Sequence, residues 1–349
     1  MVGGFEGLFY GLDHAWAASA VTLPLAPSPR PSFVSHLPPS ARMPSARSSE
    51  LGRVSDGKGC LAEGAPLCTV GGMRTFARIL LAELLGTYLL VFFGCGAVHA
   101  SVLTGAQSGL WQVAIIWGLA VAFAAYCVGG IGGAHINPAI SLSLAWWGRF
   151  SWSRLPGYVL AQVLGALLAA ATLYAIYAPQ LKLKEQEKGV MRGSVGSIVT
   201  AMCYGEFYPS PGPLAAGSDR WTDEAWEQFR QRTPWSMAFG AEVVGTAILA
   251  LVVFAVGDPR HPSAPPSYLA PLVVGLVVAA LISVIAPLTQ CCLNPARDFG
   301  PRLFTYLVGW GTAALPGPNG HGWFTVYILA PSLGAVLGGA VYERLLRTT

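Results

Sequence analysis

The sequence predicts an all-α membrane protein with six transmembrane helices plus two re-entrant half-helices, arranged as an inverted 3+3 repeat. Three observations predict it. Of the 349 residues 53% are hydrophobic and only 11% charged, against roughly 25% charged in a soluble domain, and the mean hydropathy is +0.52. Six apolar segments each reach the roughly 20 residues that a helix needs to cross a hydrocarbon core of about 30 Å. The chain also repeats itself around two Asn-Pro pairs. A formal net charge of +4 implies neither a nucleic acid nor an acidic substrate. Cys60, Cys68, Cys95, Cys127, Cys203, Cys291 and Cys292 have no metal-ligand spacing and set no disulfide framework.

In chain order, residues 1–72 are rich in Ser, Pro, Ala and Gly without sustained periodicity, which predicts a disordered arm. Met73 stands directly before RTFARILLAELLGTYLL as a natural start, and Glu6 and Asp13 count against a transit peptide. The membrane domain is then expected over 73–349, with spans near 76–98, 109–130, 155–178, 234–257, 268–286 and 323–345. Two shorter apolar stretches, 137–147 and 294–306, begin at Asn-Pro and are half a crossing long. Arg149, Arg154, Arg260, Arg344 and Arg347 lie in short connections or at the C-terminus, while 99–108 carries neither Lys nor Arg. The positive-inside rule therefore puts both termini in the cytoplasm, of a cell's plasma membrane by expectation. The loop 179–233, with seven basic and seven acidic residues, falls outside.

AELLGTYLL (82–90) recurs as AEVVGTAIL (241–249), HINPA as CLNPA, and AQVLGA (161–166) as APSLGA (330–335). Repeat one covers about 73–178 and repeat two about 234–345. Three crossings per copy is an odd number, so the second copy enters from the opposite side. Two half-helices dipping in from opposite faces bring their N-termini together near the midplane, where irregular backbone survives only against protein or a cavity. Asn137 and Asn294, two of only three asparagines, head these helices. Asn is a good N-cap and Pro138 or Pro295 a good first residue, because Pro lacks the N–H that would be orphaned. One such motif, completed by Ala139 or Ala296, reads as plain capping. Two in an inverted repeat place amide donors and two positive helix ends at one spot, which favours hydrogen-bond acceptors and repels cations.

On AELLGT, GGAHINPA, AEVVGT and LNPARDFGPRLF, the chain over about 76–345 resembles the major intrinsic proteins, the aquaporins and glycerol facilitators. The resemblance implies an aquaporin-like fold around one pore, a homotetramer in the lipid bilayer with four independent pores, and passive passage of small neutral solutes. Asp298, Arg302 and Pro331 resemble the glycerol-conducting (aquaglyceroporin) branch, from which Ser332 departs; Asp298 and Arg302 are also placed to pair at i and i+4. Matching the family's selectivity filter by spacing gives Trp117, Ile282, Cys291 and Arg297. Ile282 stands where glycerol facilitators usually have Gly, and Cys291 where they have an aromatic, so the set also resembles the filter of the plant nodulin-type branch. Arg297 offers five donors to hydroxyls and adds to a cation barrier. The resemblance makes Glu83 and Glu242 braces of the re-entrant loops. His135, at the cytoplasmic mouth, could titrate near neutrality and gate, or simply bond loop backbone. Gly165, Ala169, Gly334 and Gly338 have the spacing of close helix contacts.

A channel explains the paired half-helices and the dearth of charge. An ion-coupled transporter would call for midplane ion ligands, and an enzyme for a nucleophile, an acid/base pair or a metal cluster; none stands out, nor does any cofactor. The expectation is a channel for glycerol and other small uncharged solutes, with water, that excludes protons and ions. A channel mainly for water or for boric and arsenous acids is the alternative.

Overall fold

A computed structural model describes residues 70–347 apart from 108; the expected arm, up to residue 69, lies outside the described residues. Helix α1 is Val70–His99, α2 Leu110–Gly132, α3 Pro138–Trp146 and α4 Leu155–Lys188. Three short helices follow, α5 Ile198–Ala201, α6 Gly212–Ala216 and α7 Asp223–Arg230. The second half holds α8 Trp235–Val256, α9 Ala270–Thr289, α10 Pro295–Thr305, α11 Gly322–Phe324 and α12 Ala330–Val341. Among the described residues six segments are long and apolar enough to cross a membrane: Thr75–Thr104, Leu110–Gly132, Trp152–Lys188, Trp235–Val256, Ala270–Thr289 and Gly322–Leu346. At 9 and 11 residues, α3 and α10 are far shorter than a span.

Packing follows the repeat. Helix α1 packs on α2 and α4 as α8 packs on α9 and α12, and α2 meets α9 between the halves. The short helices are exchanged: α3 lies against α12 as well as α4, and α10 against α4. Ser143 Oγ donates to the Ala335 carbonyl at 2.7 Å and Trp147 Nε1 to that of Val336 at 3.1 Å, which fixes α3 on the last span. Below it, Arg149 ties the end of α8 to the last span through Asp258 (3.1 Å) and Glu343 (2.6 Å), its guanidinium 4.7 Å from the Phe254 ring centre.

Close helix approach rests on glycine at equivalent places. A Cβ on Gly165 would lie 2.1 Å from the Leu84 carbonyl oxygen on α1, and one on Gly334 2.3 Å from that of Val243 on α8. With no hydrophobic force between helices in lipid, such contact supplies the dispersion that holds them together.

The connection between the two halves differs from expectation. Helix α4 continues through Pro179 to Lys188, ten residues past the expected end of the span at 178. At 1.5 Å per residue its 34 residues extend about 50 Å, well beyond a hydrocarbon core. Rather than an open loop, residues 198–208 are buried throughout. Glu185 anchors the segment by accepting from Arg192 Nε (3.0 Å) and Thr200 Oγ1 (3.0 Å). Thr222 caps α7 by accepting from Ala225 N at 3.1 Å, while Trp226 and Phe229 are buried. The balanced charges of 179–233 conceal the apolar run IVTAMC within it, too short to span but long enough to be buried.

Gly334→Leu should drive a side chain into the α8 backbone. Overpacking of this kind costs about 1–3 kcal/mol or more. The expected outcome is a lower thermal midpoint and a smaller monodisperse fraction in detergent, against no change for Ser332→Ala on the same helix.

Candidate functional site

The two short helices begin side by side. Asn137 has extended backbone (φ −157°, ψ 117°), and its Oδ1 accepts from Ala139 N at 2.9 Å. Asn294 does the same for α10, its Oδ1 accepting from Ala296 N (3.1 Å) and Arg297 N (3.3 Å). Pro138 and Pro295 open the helices behind them. Each amide also crosses to the other repeat: Asn137 Nδ2 donates to the Leu293 carbonyl at 2.9 Å, and Asn294 Nδ2 to that of Ile136 at 2.8 Å. An NH₂ has two hydrogens, so each keeps one beyond this exchange. Both asparagines line a cavity of about 620 Å³.

The approaches to both asparagines are strained. Ala134 and Ile136 have φ of 48° and 43°, and Gln290, Cys291 and Leu293 have 64°, 64° and 55°. Non-glycine residues persist in this left-handed region only where surrounding structure imposes it. Two fully buried glutamates do so. Glu83 accepts from His135 N, Ile136 N and Gln162 Nε2, each at 2.8 Å. Glu242 accepts from Cys292 N and Leu293 N at 2.9 Å and from Thr289 Oγ1 at 2.6 Å. His135 lies on the cavity wall with Nδ1 3.1 Å from Ser141 Oγ, its ring against Phe150 (4.7 Å) and Tyr158 (5.0 Å).

Trp117, Ile282, Cys291 and Arg297 come together on the same cavity. The Arg297 guanidinium carbon lies 4.4 Å from the Trp117 ring centre, a cation–π contact. Trp117 in turn lies where a Cβ on Gly94 would be, 2.2 Å from the ring, so only glycine fits there. Cys291 N donates to Thr289 Oγ1 at 3.2 Å. The Cys292 thiol turns instead to the carbonyls of Asn294 (3.2 Å) and Tyr327 (3.7 Å).

Asp298 and Arg302 pair twice, Nε to Oδ2 and Nη2 to Oδ1, both at 2.9 Å. Pro331 is buried near the start of α12, away from the cavity-lining residues. With Asp298 engaged by Arg302, partners of the Arg297 guanidinium come from the connection between the two halves. Arg297 Nη1 donates to the Tyr204 carbonyl at 2.9 Å, and Nη2 forms an ion pair with Glu206. Glu206 N donates to Asp298 Oδ1 at 2.6 Å, and Phe207 N to Gln290 Oε1 at 2.9 Å. Tyr204, Glu206 and Gln290 belong to no motif of the sequence. The available signal was a lone acid within the mostly apolar IVTAMCYGEFY.

The profile of the family described as "Major intrinsic protein" matches residues 73–342. The chain belongs to the major intrinsic protein family. With its six apolar spans, this major intrinsic protein is a multi-pass integral membrane protein. It is 43% identical over 266 residues to a glycerol uptake facilitator protein of Pseudomonas aeruginosa, covering 76% of this chain and 88% of the relative. To the Escherichia coli glycerol uptake facilitator protein it is 37% identical, over 76% of this chain and 87% of that one. A propanediol uptake facilitator of Salmonella typhimurium is 38% identical, covering 75% and 91%. Among solved structures, an aquaglyceroporin from Plasmodium falciparum matches with a TM-score of 0.63 at 25% identity, over 78% of this chain and 97% of that one.

The two neighbouring thiols give this family member an internal control. Both cysteines line the cavity, but the Cys292 thiol is engaged by the Asn294 and Tyr327 carbonyls, so Cys291→Ser is expected to abolish block by a small mercurial added to proteoliposomes. Cys292→Ser should leave the block intact. The reverse pattern in stopped-flow traces would remove Cys291 from the constriction.

Proposed function

We propose that the protein is a passive channel for glycerol and other small uncharged polyols, with water, running down their gradients and excluding protons and ions. The observation that carries this reading is the convergence of two Asn-headed helix N-termini on one cavity that continues to Trp117 and Arg297. The likeness to glycerol facilitators supports the choice of solute.

The chemistry follows from what lines the path. At the centre, Asn137 and Asn294 each have an N–H for a passing hydroxyl oxygen, and two helix dipoles favour acceptors over cations. Backbone carbonyls of the two loop segments that line the same cavity offer acceptors to the hydroxyl hydrogen. Leu90, Val121, Val278 and Ile282 supply an apolar wall for the carbon backbone. At the outer end Trp117 faces the carbons and Arg297 donates to oxygen. A polyol thus meets donors on one side and apolar surface on the other, whereas an ion would lose hydration without charge compensation. Nothing in this route makes or breaks a covalent bond, so no catalytic role is assigned.

Four such subunits form the assembly in this reading, each with its own pore, in the plasma membrane with both termini inside. The small side chain of Cys291 opposite Trp117 also suits a diol.

Stopped-flow swelling of proteoliposomes with glycerol, propanediol, urea, boric acid and arsenous acid tests the solute. Glycerol flux well above empty liposomes is expected, and gradient-driven accumulation above equilibrium would overturn the channel reading. Asn294→Asp should place an acceptor and negative charge where donors and positive helix ends converge. Glycerol permeability is expected to fall by about tenfold, the effect of losing roughly 1.4 kcal/mol of favourable interaction, with a rise in cation conductance. A variant that reaches the membrane with both unchanged would remove Asn294 from the pore centre.

A further inference from the structure

Glu206 stands apart from the other buried glutamates. Glu83 and Glu242 each accept three hydrogen bonds and hold strained backbone. Glu206 is just as fully buried, yet beyond its ion pair with Arg297 its carboxylate accepts no hydrogen bond among the described residues. Its backbone already anchors the connection, the N–H donating to Asp298 and the carbonyl accepting from Arg302. The side chain therefore has one contact of consequence, the arginine of the outer constriction. A buried carboxylate is costly unless paired, and an ion pair also fixes the geometry of both groups.

Of the five N–H groups of Arg297, one goes to Tyr204 and at least one to Glu206, while Trp117 covers a face of the guanidinium. Which donors remain for a solute, and whether the constriction is charged, depends on Glu206. Asp298 does not replace it, because Arg302 occupies both of its oxygens.

We propose that Glu206 is a specificity-determining positioning residue: by pairing with Arg297 from the connection between the two halves, it sets which guanidinium N–H groups face the pore and neutralises the constriction. This rests on the channel reading above. Protonation of Glu206 releases Arg297 and leaves its positive charge uncompensated.

The groups facing Glu206 are Arg297, Asp298 and Arg302 on α10, Glu242 on α8, Cys95 on α1, Cys291 and Cys292 before α10, and Tyr327 on the last span. The arginines keep their protons, Asp298 is bonded by Arg302, and Glu242 accepts from Thr289, Cys292 and Leu293. Burial pushes the Glu206 carboxyl up to about 8, against the pull of Arg297. As pH falls through that value the pair is lost, and as pH rises it forms.

The test is stopped-flow permeability of proteoliposomes to water, glycerol and urea, from mildly acidic to mildly alkaline pH, for the full chain and for Glu206→Gln. Glutamine keeps the shape and removes the titration. The native channel should change its glycerol-to-water ratio with pH by about tenfold, the lower end of what one altered contact contributes to discrimination. Glu206→Gln should be flat and match the acidic limit of the native channel. A glutamine variant with the native ratio and the native pH profile overturns the proposal. If it does not fold, Glu206→Asp decides: a shifted ratio with titration retained supports the role, and an unchanged ratio refutes it. Should the native channel pass no glycerol, the solute assignment fails, while the Glu206 proposal is still read from the pH profile of water and whichever solute passes.

Discussion

The structure depends on satisfying polar backbone that has left helical geometry inside an apolar protein. Segments 133–137 and 290–294 cannot bond to themselves as a helix does, and unpaired N–H groups there would each cost about 1–3 kcal/mol. Glu83 and Glu242 meet that demand with paired acceptors reaching out of α1 and α8. Their three bonds apiece hold residues such as Ile136 and Leu293 in a backbone region they would not otherwise keep. The same strain turns carbonyls toward the neighbouring loop, where each asparagine of one repeat bonds a carbonyl of the other. The pore centre follows from the bracing.

Much of this was legible in the sequence because duplication makes weak signals mutual. A lone Asn-Pro is a helix start; a second at matching distance from a second Ala-Glu pair, with so few asparagines in the chain, carries geometric information. The expected spans fall within a few residues of the observed helices, except where α4 runs on to Lys188. The resemblance also supplied residues that the structure gathers on one cavity, Trp117 and Arg297 among them.

The connection between the halves was less legible for a physical reason. Hydropathy reports segments that satisfy themselves, and 189–233 satisfies itself only against the rest of the protein. Its buried part is short, its helices have only four to eight residues, and its charges cancel. Nothing periodic marks Tyr204 or Gln290, whose roles rest on a backbone carbonyl and a side-chain amide meeting across the fold. Glu206 could have been singled out only as an acid without an evident counter-charge near it in sequence. The assignment of Asp298 to Arg302 likewise leaves open, in sequence alone, what neutralises Arg297.

The exchange of the short helices bears on how the chain is made. Helix α3 is synthesised early, but Ser143 on it and Trp147 and Arg149 just after it bond Ala335, Val336 and Glu343, all near the C-terminus. While the ribosome is still producing the second half, α3 has only α4 to rest on and lacks the last span that accepts the bonds of Ser143 and Trp147. The two repeats are therefore not modules that mature in turn; the first acquires its finished form only when the last span arrives.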